Sequence, residues 1–150
     1  MTGGGLVNDK TAANVHWSFW LIGTLTLIWN VLGGVNYIMQ MDADIVASLP
    51  ETHRAIIVGR PAWATGGFAF TVFGGALGCL LLLFRNKAAL YVFVVSLLGV
   101  IVTSAHTIRV ARSTIEFSLA EIFVMILSPI IVAAFLLWYA KQAQKKTWIR

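Results

Sequence analysis

Charged side chains are scarce in this sequence. Lys, Arg, Asp and Glu make up 11% of the 150 residues, against about 25% in a soluble domain, too few to clothe a surface facing water. Cysteine is scarcer still. Cys79 stands alone inside an apolar run, which excludes an internal disulfide and leaves no second thiolate for a metal, so it reads as a small packing residue. A glycine-rich phosphate loop, Cys/His metal spacing and a Ser/His/Asp constellation are all missing. No catalytic, metal or cofactor-binding residue is therefore assigned; no cofactor and no enzymatic activity are expected. His16 and His106 fall on opposite sides of the predicted bundle, which excludes a bis-His haem pair within one chain. His53 could meet His106 only if the loop that carries it folds over the bundle. The segment 1–16 is polar and glycine-rich, and the apolar run after it is too long for a signal-peptide core, so it is expected to be retained as a helix.

What is abundant is apolar sequence, 59% of residues, with a mean hydropathy of +0.83. It is gathered into four runs, about 17–41, 63–84, 88–107 and 117–140, which together hold one carboxylate, Glu121. A helix rising 1.5 Å per residue needs about 20 residues to cross about 30 Å of hydrocarbon. Four such runs predict an all-α, integral membrane four-helix bundle with lipid as its partner. Trp17, Trp20, Trp63, Trp138 and Tyr139 fall at the ends of the runs, where headgroup-level aromatics are favoured, and Trp29 is the exception near mid-span.

Short-loop cations orient the bundle. Placing both termini inside puts Lys10, Arg85, Lys87, Lys141, Lys145, Lys146 and Arg150 there, against Arg54, Arg60, Arg109 and Arg112 outside. The expectation is N-in/C-in, with a basic cytoplasmic tail over 141–150. The net charge of +5 is then an orientation signal, or a lipid- or partner-binding tail, and no nucleic acid is expected. The outer loop 42–62 is the one long connection. Ser48-Leu49-Pro50-Glu51 predicts a short interfacial helix capped by Ser48 and ended at Gly59, which either closes the outer face or covers a site.

Each run carries one seam of small and polar residues at helical spacing. The first reads Gly23, Thr26, Asn30, Gly33, Gly34 and Tyr37; the second Gly67, Thr71, Gly74, Gly75 and Gly78. The third reads Ser96, Gly99, Thr103 and His106, and the fourth Ser118, Glu121, Met125 and Ser128. Lipid tails solvate Leu as well as a neighbouring helix does, so association relies on close backbone approach and interhelical hydrogen bonds. The seams predict packing faces along Gly33, Gly34, Gly67, Gly74, Gly75, Gly78, Ser96 and Gly99.

An ionisable group inside a span costs free energy and ordinarily has a partner or a wet cavity. With the third and fourth helices antiparallel about a turn near Ser113 and Thr114, Glu121 comes level with His106, and Arg109 with Leu119. Either an ion pair pinning the hairpin or a titrating, ligand-binding site follows. Asn36 and Gln40 share a face at the same height, which suggests an outward-open cavity lined by Asn36, Gln40, His106 and Glu121. Asn30 is the residue that would mark a polar cavity reaching mid-membrane. Pro129 removes a backbone donor within the fourth run and predicts a kink, with neighbouring hydroxyls serving the freed carbonyl.

The stretch Leu27-Ile-Trp-Asn30 with Gly33, Tyr37 and Met39-Gln40 resembles a group of uncharacterised small four-helix bacterial inner-membrane proteins, sometimes labelled sugar transporter. Leu49-Pro50-Glu51, Pro61-Ala-Trp-Ala64, Phe73-Gly-Gly-Ala-Leu-Gly78, Leu80-Leu-Leu-Leu83 and Ser96-Leu-Leu-Gly99 carry the same resemblance, over residues 17 to 105. It implies a multi-pass protein of the cell inner membrane. His106, Arg109 and the basic tail depart from the pattern. The expected function is non-enzymatic, through helix association as a homo-oligomer or as an accessory subunit of a larger membrane complex. The alternative is a small-solute transporter working as an oligomer.

Overall fold

The computed structural model describes residues 14–113 and 116–150. Most of the expected N-terminal segment, residues 1–13 with Lys10, lies outside the described residues, as does Thr114 of the expected turn. The elements are α1 (Trp17–Met39), α2 (Ala43–Ser48), α3 (Glu51–Ile57), α4 (Ala62–Leu83), α5 (Ala89–Ala111), α6 (Leu119–Ile122), a π-helical segment (Phe123–Leu127) and α7 (Ser128–Lys145). The last three run on as one span, Leu119–Lys145, and with α1, α4 and α5 they make four helices long and apolar enough to cross a membrane. The all-α four-helix membrane fold is as the sequence predicts.

Several boundaries move, each for a local reason. The loop holds two short helices instead of one. Asp42 caps α2, its Oδ1 accepting from the N–H groups of Asp44 (2.9 Å) and Ile45 (3.2 Å). Ser48 is therefore the last residue of α2 and not a cap; its hydroxyl donates back to the Ile45 carbonyl at 2.7 Å. Pro50 then stands at the start of α3. Gly59, at φ 75°, makes the left-handed turn that ends this segment, a conformation with little cost only for glycine. The third span continues to Ala111, so Arg109 is helical. The fourth continues to Lys145, so half of the expected basic tail is helix.

Residues 146–150 are not a loose tail. Helices α4 and α7 both end in Schellman motifs, with Arg85 (φ 60°) and Thr147 (φ 57°) in the left-handed position usually given to glycine. In the first, Asn86 N–H reaches the Leu81 carbonyl at 2.8 Å; in the second, Trp148 N–H reaches that of Ala143 at 2.9 Å. The two turns bond to each other. Arg85 Nε–H donates to the Trp148 carbonyl at 2.7 Å. Arg150 N–H donates to the Arg85 carbonyl (2.8 Å) and Lys87 N–H to that of Arg150 (2.9 Å). Beneath them lies a core of Phe19, Cys79, Leu82, Phe93, Leu136 and Tyr139, joined by Ile149. Phe19 meets Tyr139 and Trp148 at ring distances of 6.4 and 5.9 Å. The bundle is thus sealed at the end that carries the described chain end.

Close backbone packing joins α1 to α4, α4 to α5, and α5 to α7, with no comparable contact between α1 and α7. The seams explain the first two. A methyl on Gly99 would stand 2.6 Å from the Gly67 carbonyl oxygen, and one on Gly78 2.5 Å from the Phe93 ring. One on Gly33 would stand 2.9 Å from Val72, and the space over Gly75 is taken by the Asn30 amide. Gly34 and Gly74 make ordinary contact with Phe73 and Ser96, at 3.5 and 3.4 Å. Ser96 Oγ–H crosses from α5 to the Thr71 carbonyl at 2.8 Å. The seam glycines of α1 and α4, with Ser96 and Gly99 of α5, thus meet neighbours within the chain, whereas Ser118 of the fourth seam is exposed.

Candidate functional site

Because α1 and α7 are tied together only at the sealed end, the half of the bundle nearer α3 encloses a cavity of about 390 Å³. Along α1 it extends from Gln40 to Trp29, roughly 16 Å at 1.5 Å per residue, or half of a bilayer's hydrocarbon thickness. Its volume lies within the range of small-molecule sites.

The deep part is mostly carbon, walled by Leu32, Val72, Val100, Val132 and Leu136. Asn30, Thr71, Ser96 and Thr103 add polar groups there, but their donors are engaged by neighbouring acceptors. Asn30 Nδ2 donates to the Thr26 carbonyl at 2.8 Å and lies 3.8 Å from Cys79 Sγ. Thr71 and Thr103 bond the carbonyls of Gly67 and Gly99, each at 2.9 Å. Trp29 (49% exposed) and Leu32 (61% exposed) border both the cavity and the outside of the bundle, so the gap between α1 and α7 opens sideways as well.

The mouth is polar. Asn36 and Gln40 come from α1, His53, Ile56 and Ile57 from α3, and Arg60 from the turn before α4. Arg60 donates from Nη2 to Gln40 Oε1 at 2.8 Å, and its guanidinium lies 5.4 Å from the centre of the Phe68 ring. Its Nε–H is buried without a partner. Burial pushes this guanidinium below its ordinary pKa, with Tyr37 acting in the opposite direction. Among the described residues, no Asp or Glu lines the cavity.

One wall is shaped by the irregular fourth span. Val124 and Met125 of the π segment and Pro129 border the cavity. Ser128 N–H bonds the Phe123 carbonyl in the wide π pattern. Pro129 cannot donate the next bond of that pattern, to Val124, and Ser128 Oγ–H supplies it at 2.8 Å. The hydroxyl rescue expected beside this proline is in place, with a π segment before Pro129.

Of the predicted site residues, Asn30, Asn36 and Gln40 line the cavity, whereas His106, Glu121 and Arg109 do not. The Glu121–His106 and Glu121–Arg109 pairings are corrected by the contacts each residue makes. Glu121 closes a capping box with Ser118 at the start of α6, its Oε2 accepting from Ser118 N–H (2.9 Å) and Oγ–H (2.7 Å). Its other oxygen accepts from Thr52 Oγ–H of α3. His106 is buried, its Nε2–H donating to the Ile56 carbonyl of α3 at 3.1 Å and its ring set edge-on to Trp63 at 5.8 Å. Arg109 is exposed. Glu121 and His106 thus do not meet; α3 is the partner of each.

His53, weighed in the sequence only as a partner for His106, and Arg60, counted there only for orientation, line the cavity as well. A signal was present: Arg60 is a cation set directly before Pro61-Ala-Trp63, where a span begins. No protein-family model, curated protein or solved structure matches the chain.

Proposed function

We propose that this chain is a non-enzymatic small-solute carrier of a bacterial inner membrane, with both termini in the cytoplasm. The observation that carries this reading is the cavity between α1 and α7, closed at the sealed end and covered by α3 at the other. With the tail cytoplasmic, the mouth faces outward. A deep carbon wall with polar groups at its rim is the composition of a site that holds a molecule and orients it. The inner-membrane location rests on the cation distribution and on the family resemblance.

Association is the weaker reading. The glycine seams that suggested it are occupied inside the chain, by Asn30, Val72, Val102 and Phe93, so they are not available to a second copy.

The test is native mass spectrometry of the protein released gently from its own membranes. A small-molecule adduct is expected on the wild type and not on Ala133→Phe, since Ala133 is a buried lining residue on α7. Equal adducts on both proteins, or none on either, would remove the carrier reading. A stable complex with other membrane proteins, unaffected by the substitution, would favour an accessory subunit.

A further inference from the structure

We infer that the occupant of the cavity is a single-chain amphiphile with an anionic head, bound head-up against Arg60 with its chain between α1 and α7. The inference rests on the carrier reading and names its solute class.

Three observations converge. The first is the state of Arg60. A guanidinium has five N–H donors in a planar fork suited to carboxylate or phosphate oxygens. Here one nitrogen bonds Gln40, Nε is buried without a partner, and Phe68 lies against the group. Among the described residues, the cavity wall has no carboxylate to neutralise it. A partly buried cation lacking a counter-ion at a cavity mouth is complementary to an anion arriving with the ligand.

The second is the contrast along the cavity. A sugar-like solute presents hydroxyls on every side and needs partners throughout. The deep wall instead offers Leu32, Val72, Val100 and Leu136, while its Asn30 and Thr71 donors are committed to helix carbonyls. Buried hydroxyls without partners are penalised, whereas a hydrocarbon chain leaves nothing unpaired. Polarity is thus confined to one end, as in an amphiphile.

The third is access. The α1–α7 gap is bordered by Trp29 and Leu32, which are exposed on the outside of the bundle. An amphiphile resting in the outer leaflet already has its head at the height of Arg60 and its chain at the height of that gap. It could enter sideways without leaving the hydrocarbon. The cavity volume, about 390 Å³, suits one short chain and not a two-chain phospholipid.

The experiment uses the full chain in discs of zwitterionic lipid, with decanoate, octyl phosphate, decanol and octyl glucoside as probes and calorimetry as the readout. Decanoate and octyl phosphate should bind about tenfold or more tightly than decanol, the factor expected for one charge-assisted contact. Arg60→Gln should abolish that preference and Arg60→Lys should keep part of it, while Ala133→Phe should block all four probes. Equal binding of decanoate and decanol to the wild type overturns the inference without needing any variant. So does an undiminished preference in Arg60→Gln. If decanol or octyl glucoside binds the wild type and Ala133→Phe blocks it, the carrier reading survives that failure. If no binding depends on Ala133, the carrier reading falls with it. Displacement of decanoate by phosphatidylglycerol at equal ratio would place a bilayer lipid in the cavity and overturn the single-chain assignment.

Discussion

Gly99→Ala tests how closely the two central helices are built. The added methyl would stand 2.6 Å from the Gly67 carbonyl oxygen and 2.9 Å from the Thr71 backbone nitrogen, both backbone atoms that cannot rotate away. Ordinary contact begins at 3.4 Å, so α4 and α5 must part by roughly 0.8 Å at this crossing. The Ser96–Thr71 hydrogen bond, 2.8 Å long, would open to roughly 3.6 Å, beyond hydrogen-bond range. Overpacking costs about 1–3 kcal/mol, and an interhelical hydrogen bond in a membrane protein averages about 0.6 kcal/mol. Against these, alanine gains about 0.8–1 kcal/mol of helix propensity over glycine. The net expectation is a loss of about 1–3 kcal/mol. The control is Gly66→Ala, in the same pair of helices, where a methyl meets nothing within 4 Å; it should be neutral or slightly stabilising. The assay is reversible unfolding from maltoside micelles by added dodecyl sulfate, followed by far-ultraviolet circular dichroism. Equal midpoints for the two variants would refute the reasoning, because helix propensity would then be the only effect at work.

Three further perturbations address the rest of the structure. Glu121→Ala removes both the capping box and the anchor to Thr52, so amide exchange should rise over 51–57 and at the start of α6, where caps are worth about 0.5–2 kcal/mol. Thr52→Val should raise exchange over 51–57 alone, and an effect of equal extent from both variants would contradict this division of roles. Ser128→Ala leaves the Val124 carbonyl without the donor that replaces the missing Pro129 N–H, and the dodecyl sulfate midpoint should fall by about 0.6–1.7 kcal/mol; an unchanged midpoint would show that the carbonyl is served otherwise. Thr147→Gly should stabilise the protein by up to about 1 kcal/mol, since a β-branched residue at φ 57° carries about 1–2 kcal/mol of left-handed strain, less the extra entropy that glycine adds to the unfolded chain. A loss of stability would mean that the Thr147 side chain contributes more than its local bond to the Lys146 carbonyl.

How far the sequence could be read depended on the range of the interaction. Lipid solvation acts on each run by itself, so four spans were visible from composition and length, and the seams were visible from helical period. Distances across the fold were not. Glu121 and His106 are each partnered by α3, which comes from a loop fifty or more residues away, as the Thr52 and Ile56 contacts show. A periodic pattern contains no record of such a contact. The first loop helix, Ala43–Ser48, escapes the sequence reading because Asp42 reads as the end of a span, and Ser48, a good cap in general, reads as the start of the helix that follows. Arg60 was counted for orientation, and its burial became apparent only once Phe68 and Gln40 were known to enclose it. The π segment is a compromise between Pro129 and its neighbours that local propensity does not register.

The two ends of the bundle are held by different kinds of force, and this bears on function. At the sealed end, buried rings of Phe19, Phe93 and Tyr139 lie beneath two interlocked helix turns, where backbone bonds tie Arg85 and Lys87 to Arg150 and the Arg85 side chain bonds the Trp148 carbonyl. Two non-glycine residues keep left-handed conformations there, which persists only where the surroundings over-determine the backbone. At the α3 end, a seven-residue helix is fastened through single contacts from Thr52, Ile56 and neighbouring Arg60 to side chains on the spans. Local opening is drawn from the parts with the fewest buried contacts, so under the proposed carrier function the motion that admits a ligand would belong to α3 and the α1–α7 gap. Breaking the Arg60–Gln40 bond frees the donor that the proposed anion would take, so on that proposal ligand binding and the release of this fastening would draw on the same guanidinium.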